Sequence, residues 1–469
     1  MLRAAIAFSL FHAVTAVAAT DVSGLEQAKR IDADVETILH RTDTPGATIA
    51  VAVKGRIVYA HAYGFRDRER RIPATVDTHY EIGSITKQFT AAAMMQLQEA
   101  GKLRIDDTLA TYLPKAPHAG EVTLRQMLSH TSGLPEYLEG PDIETAATKA
   151  ATVDELMARI KDKPLDFAPG SRWSYSNTGY ILLGRVIEVV SHETYRHYVQ
   201  HHLLDPSGMT QTFTVADESR LPKMAIGYRH KNGKIERPAP ISDTFGWSAG
   251  FLVSTVDDLE KWNLALTRGK IVAPASYALM STSVQTTQHG DAEYGFGLFV
   301  DAIDGQLRIG HTGGAFGFTS ANEYFPKQDA RIVAFTNNGD TPEPGEMIAT
   351  AIFENLYPEI AAVAMRPAPG EDAKATSDAK AVFAQMQRGS EDSALLTVKL
   401  AEKMKAGLAA RLATLFSPYG APTAFIYKGA RSDNGLRWSD YVIRFGPGSS
   451  LKFAIGLDEA GKVASISYG

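Results

Sequence analysis

The chain has 469 residues, 44% of them hydrophobic and 22% charged, with 39 glycines, 22 prolines and no cysteine. That composition fits a globular protein of two or three domains. The missing thiol excludes a disulfide framework, a cysteine nucleophile and Cys-ligated zinc. The formal net charge is −5 with no basic stripe, which argues against nucleic acid as a partner.

The first 19 residues, MLRAAIAFSLFHAVTAVAA, carry Arg3, an apolar stretch from Ala4 to Val14 and the small-residue pattern Ala16-Val17-Ala18. They predict a cleavable signal peptide over 1–19 and so a periplasmic or secreted mature protein. No later apolar run is long enough to cross a membrane, which takes about 18 residues or more.

Residues 47–65 read as two strands joined at Lys54-Gly55. A helix is expected from Ser84, a capping-type residue, to Gly101. Residues 104–200 read as helices and loops. From Tyr294 the pattern returns to strands, with a final helix near 343–356. The early hairpin and the late strands bracket a helical middle, which predicts an α+β domain over 20–364: one antiparallel sheet built from both ends, with helices packed on it. Residues 365–380, rich in Pro, Ala and charge, read as a linker. Residues 381–469 predict a small C-terminal α+β module ending in a four-strand meander. No internal repeat is seen.

Ser84 and Lys87 stand three residues apart, on one face of the expected helix. The orphan N–H groups and positive end of a helix favour an oxyanion beside such a serine, and a buried lysine can lose its proton and act as a base. Tyr175-Ser176-Asn177 is the only Tyr-x-Asn in the chain, in a polar loop before a helix. His311-Thr312-Gly313-Gly314 ends a strand pattern, where two glycines allow close backbone approach.

In that order the three elements resemble the penicillin-recognising serine hydrolases, the group of D-alanyl-D-alanine carboxypeptidases, class C β-lactamases and related esterases and D-aminopeptidases. The stretches LRQMLSHTSGLPEY (124–137), LLDPSGMTQT (203–212) and SAGFLVSTVDDLEKW (248–262) look like this group's connecting segments. The resemblance covers about residues 26–357 and implies a β-lactamase/transpeptidase-like fold. It implies that Ser84 is the nucleophile and forms an acyl-enzyme, that Lys87 and Tyr175 share the proton traffic, and that Asn177 hydrogen-bonds the substrate. By the same resemblance His311, Thr312, Gly313 and Gly314 line the substrate site, with the N–H groups of Ser84 and Gly314 as oxyanion hole, and Trp247 walls the pocket. No cofactor or metal is called for. His311 departs from the lysine usual in β-lactamases, which weakens an anchor for a substrate carboxylate and favours peptidase or esterase readings.

Other motifs compete. Gly246-Trp247-Ser248-Ala249-Gly250 matches G-x-S-x-G, but a nucleophile elbow needs a strand before it and a helix after it. Here polar APISDT precedes and strand-like GFLVS follows, so a turn entering a strand is expected. Ser449 and Lys452 repeat the Ser-x-x-Lys spacing in the C-terminal module without a partner motif. His197 and His201 have a zinc-compatible spacing, but Arg196 stands where H-E-x-x-H would need its second histidine; with His202 they read as a solvated helix face. In SHTSGLPEY, His130 reads as loop-stabilising and Tyr137 as a possible substrate contact. The sequence thus predicts an exported serine hydrolase acting on a small molecule or peptide, such as a peptidoglycan stem peptide. A class C-like β-lactamase, an α/β-hydrolase using Ser248 and a non-catalytic binding protein on the same scaffold are the alternatives.

Overall fold

Gly46–Val53 is buried along almost its whole length, as a central strand must be. The computed structural model describes residues 25–468 apart from 141, 232, 289 and 341; the expected signal peptide at 1–19 lies outside the described residues. Gly46–Val53 pairs on one side with Arg56–Asp67 and on the other with Ala330–Thr336, both antiparallel. The two ends of the domain therefore meet in one sheet. Its order is Phe299–Ile303, Gln306–Ala315, Phe318–Phe325, Ala330–Thr336, Gly46–Val53, Arg56–Asp67, Ile72–Pro73.

Period-two alternation divides the side chains of the central strands between two cores. Ile49, Val51, Ile332 and Ala334 pack with Ile31, Val35, Ile348 and Ile352 of the flanking helices Leu25–Arg41 and Pro344–Leu356. Ala50, Val333 and Phe335 face the opposite core with Phe89 and Trp262, from helices Thr86–Glu99 and Val256–Thr267. Phe89 stacks on Trp262 at 3.9 Å between centroids, a pair worth about 0.5–1.5 kcal/mol beyond its buried area. The Trp262 indole N–H donates to Gln88 Oε1 at 2.9 Å.

A three-stranded patch of Tyr80–Glu81, Leu252–Ser254 and Phe213–Thr214 ties the chain before Ser84 to the segment after Trp247. Ser84 departs from its expected capping role. It lies inside a 3₁₀ turn, Gly83–Ile85, ahead of the helix, and its side chain makes no cap bond. The hydroxyl is thereby left for other partners.

Two further expectations give way. Asp243–Gly250 is helical, capped by Ser242 and broken at Trp247, where φ is +31°; it is not a simple turn, although the strand Leu252–Ser254 follows as expected. Helix Ala373–Arg388 starts inside the stretch read as linker. Asp372 accepts from the N–H groups of Lys374 and Ala375, and this N-cap fixes the start. Beyond it, helices Val398–Lys403 and Ala409–Phe416 and the meander Ala424–Asp433, Leu436–Gly446, Ser449–Leu457, Val463–Tyr468 enclose a separate core around Phe383, Phe416 and Phe453. The module docks on the sheet domain through the Arg444–Glu354 ion pair, Nη2 to Oε2 2.8 Å, and through Arg41, which donates to the Phe445 carbonyl.

Candidate active site

The Gly83–Ile85 turn lies hard against strand Gln306–Ala315, and glycine is what permits it. A Cβ on Gly313 would stand 2.0 Å from the Ile82 carbonyl oxygen, and one on Gly83 (φ +48°) would stand 2.5 Å from that of Gly314. Both are impossible contacts for a larger residue. Gly314 has open space beside it and lines a cleft with Ser84. Ser84 thus sits at the mouth of the Thr86–Glu99 helix, next to backbone that opens to the cleft.

Lys87, one helical turn on, is fully buried. Its Nζ lies 3.0 Å from Ser84 Oγ, 2.8 Å from Asn177 Oδ1 and 2.8 Å from the Ala249 carbonyl oxygen. It also stands 4.8 Å from the centroid of the Tyr175 ring. Burial lowers the lysine to about 7, against the opposing charge of Glu136. A neutral lysine has two N–H bonds and one lone pair. Asn177 Oδ1 and the Ala249 carbonyl can only accept, so they take both N–H bonds and leave the lone pair directed at the Ser84 hydroxyl. That arrangement can remove a proton from Ser84.

Asn177 opens helix Asn177–Ser191, which is capped by the Ser176 side chain and not by the asparagine. Its backbone N–H donates to Glu136 Oε2 at 2.7 Å. Tyr175 precedes the cap, and its hydroxyl is buried near Ser84 with no close hydrogen bond among the described residues. Burial raises this phenol, while the neighbouring Ser84 hydroxyl works the other way. A phenol so placed holds its proton at neutral pH.

His311 is placed differently from the expected wall of the substrate site. It is 2% exposed. One ring nitrogen meets the Thr312 carbonyl, which can only accept, so Nδ1 carries the proton. Nε2 then accepts from the Tyr294 hydroxyl at 2.9 Å. Burial, reinforced by the Lys87 charge, lowers the imidazole to about 3, so it is neutral and cannot anchor a carboxylate. Its place is behind Tyr175, at 6.1 Å between ring centroids. His130 belongs to the same shell: its ring lies 4.4 Å from that of Tyr175, and Nδ1 accepts from the Ser176 N–H at 3.1 Å. It stabilises the loop that carries Tyr175.

The cleft encloses about 410 Å3 and is lined mostly by apolar groups, among them Tyr137, Leu138, Ile241, Phe245 and Phe316, a size suited to a small ligand. Tyr137 is therefore at the cleft, with its hydroxyl donating to the Phe245 carbonyl at 2.6 Å. Arg229 lines it too, with its guanidinium already held by Glu144 and Glu236, each at 3.0 Å. Thr312 is half-buried and lies off this lining, as do Gly313 and His311. Trp247 lies off this lining too: it packs edge-on against Tyr195 at 5.3 Å and faces Gly184. The backbone kink at Trp247 turns its side chain out while Phe245, Gly246, Ala249 and Gly250 turn in.

Ser248 is fully buried and donates to the Tyr180 carbonyl at 2.9 Å, with no base hydrogen-bonded to it among the described residues. The surface histidines pair with carboxylates: His197 and His202 with Glu193, His201 with Asp205. Sequence reasoning missed Glu136, the Ala249 carbonyl and Arg229. Glu136 lies within SHTSGLPEY and carried a signal, an acidic residue set between Leu134-Pro135 and Tyr137-Leu138; the other two reach the site only through tertiary folding.

A family model described as Beta-lactamase matches residues 31–357. Among curated proteins, one from Bacillus subtilis named for penicillin binding, PbpX, is 29% identical over 337 residues, covering 71% of this chain and 81% of that one. A D-stereospecific amidohydrolase from Streptomyces superposes with a TM-score of 0.60 at 26% identity, over 67% of this chain and 96% of that chain. The octameric penicillin-binding protein homologue from Pyrococcus abyssi shares the fold over 92% of this chain and 96% of its own, with a TM-score of 0.63 at 22% identity.

Proposed function

The chain belongs to the Beta-lactamase family and is a serine hydrolase, and within that family we propose that it cleaves amide or ester bonds of small, largely apolar substrates through an acyl-enzyme on Ser84. D-amino-acid amides are the foremost class, in keeping with the Streptomyces amidohydrolase it resembles. The observation that carries this reading is the 3.0 Å approach of Lys87 Nζ to Ser84 Oγ, with both other lysine contacts being acceptors.

In the proposed reaction Ser84 Oγ attacks the substrate carbonyl carbon as its proton passes to Lys87. The developing oxyanion is met by the N–H groups of Ser84 and Gly314 at the positive end of the helix, where each such donor contributes about 10²–10³ in rate. The C–N or C–O bond then breaks, and the leaving group takes a proton through Lys87 and Tyr175. Water attacks the Ser84 ester, gives up a proton to the same pair and frees Ser84. Lys87, lowered to about 7, suits the base; Tyr175, raised by burial, suits a neutral donor beside it. The base left open between them in the sequence is thus assigned to Lys87.

A buried neutral His311 and an Arg229 engaged by two carboxylates disfavour substrates held by a free carboxylate. Penicillins and peptides ending in D-Ala-D-Ala are therefore expected to turn over more slowly than amides and esters. Export after cleavage at residue 19 completes the proposal; mass spectrometry of the mature protein should find Thr20 at its start. One substrate panel tests the reaction: a D-amino-acid amide, a short aryl ester, a D-Ala-D-Ala peptide and a chromogenic cephalosporin. Cephalosporin turnover above that of the amide and the ester would contradict the preference proposed here.

A further inference from the structure

Glu136 belongs to none of the three motifs, yet it touches one motif residue and faces another. Oε2 accepts from the Asn177 backbone N–H at 2.7 Å and lies 3.4 Å from the Asn177 amide nitrogen. Oε1 accepts from the Leu138 N–H at 3.1 Å. A carboxylate can only accept. It therefore draws the NH2 end of the Asn177 amide to itself and turns the oxygen to Lys87, where it accepts at 2.8 Å. A flipped amide would set N–H against N–H at Lys87 and spoil the direction of its lone pair.

We propose that Glu136 is a positioning residue that orients the Asn177 amide and places a fixed negative charge behind the Ser84–Lys87 pair. The proposal rests on the reading of Ser84 and Lys87 given above. The groups facing Lys87 are few. Tyr175 and Tyr180 present ring faces at 4.8 and 5.5 Å, and His130 and His311 are held neutral by burial. Among the described residues, Glu136 is the one group whose charge opposes the lowering of Lys87. Burial raises Glu136 itself, while the N–H groups of Asn177 and Leu138 and the charge of Lys87 restrain that rise.

The sign follows. Removing the negative charge makes the protonated lysine less favourable, so Lys87 becomes a base at lower pH. The experiment is the pH profile of kcat/KM on a short aryl ester for the unsubstituted protein, Glu136→Gln and Glu136→Asp. A serine-reactive fluorophosphonate reports in parallel which serine is labelled. Glu136→Gln, which keeps an acceptor for the Asn177 N–H, should move the acid limb to lower pH. Glu136→Asp keeps the charge but shortens its reach; it should leave the limb in place while kcat/KM falls by up to about 10²-fold through misplacement of the amide. Label on Ser84 with an acid limb unmoved in Glu136→Gln overturns the role of Glu136 alone. So does a loss in Glu136→Gln confined to KM for substrates with a free α-amine, which would put the carboxylate on the substrate. No label on Ser84 in the unsubstituted protein overturns the nucleophile, and this proposal with it.

Discussion

The segments Ser84–Lys87 and Ser449–Lys452 share a spacing and little else. In the first, a 3₁₀ turn running into a helix puts the two side chains on one face, and Lys87 is fully buried 3.0 Å from Ser84. In the second, both residues lie on strand Ser449–Leu457. Residues three apart on a strand point to opposite faces, so Ser449 is buried and Lys452 is exposed. The Ser-x-x-Lys spacing carries chemistry only where the backbone aligns the two side chains and burial lowers the lysine.

The largest expected effects separate these two segments directly. Ser84→Ala should lower kcat/KM on an aryl ester by about 10³-fold or more, the scale seen when a nucleophile is removed. Ser449→Ala should leave it within about twofold. Comparable losses from both would erase the distinction. Lys87 sharpens it through pH: since Lys87 must be neutral to act, kcat/KM should fall about tenfold per unit below about pH 7. A profile flat from pH 5 to 8, measured on the same ester, would contradict the base assignment.

The glycines beside Ser84 give a third comparison. Gly313→Ala forces a Cβ within 2.0 Å of the Ile82 carbonyl and should cost about 1–3 kcal/mol of stability, the usual penalty for overpacking. Gly314→Ala meets nothing within 4 Å and should leave the melting temperature nearly unchanged. Equal losses in thermal denaturation would show that the strand and the turn are not in contact. The smallest effect on turnover is expected from Trp247→Ala: KM within about twofold, with stability lowered by about 1–3 kcal/mol as packing against Tyr195 is lost. A several-fold rise in KM would return Trp247 to the cleft.

Ser84, Lys87, Tyr175 and Asn177 were legible in the sequence because helix spacing and the loop before a helix are local properties. The sheet was legible because its strands alternate and its turns carry glycine. What escaped depends on long-range approach. The neutral state of His311 is set by burial and by the charge of Lys87. The partners of Lys87 include a main-chain carbonyl, at Ala249, which no motif displays. The packing of Trp247 against Tyr195 depends on one positive-φ residue inside a helical segment, which no sequence pattern displays. The second half of the stretch read as linker held a readable helix signal, the N-cap Asp372 ahead of a run of helix formers.

The central claim, that Ser84 forms the covalent intermediate, is tested most directly by peptide mass spectrometry after labelling with a fluorophosphonate probe. A single adduct is expected on the peptide containing Ser84, lost in Ser84→Ala. An adduct on Ser248 or Ser449, or full turnover by Ser84→Ala, would contradict it.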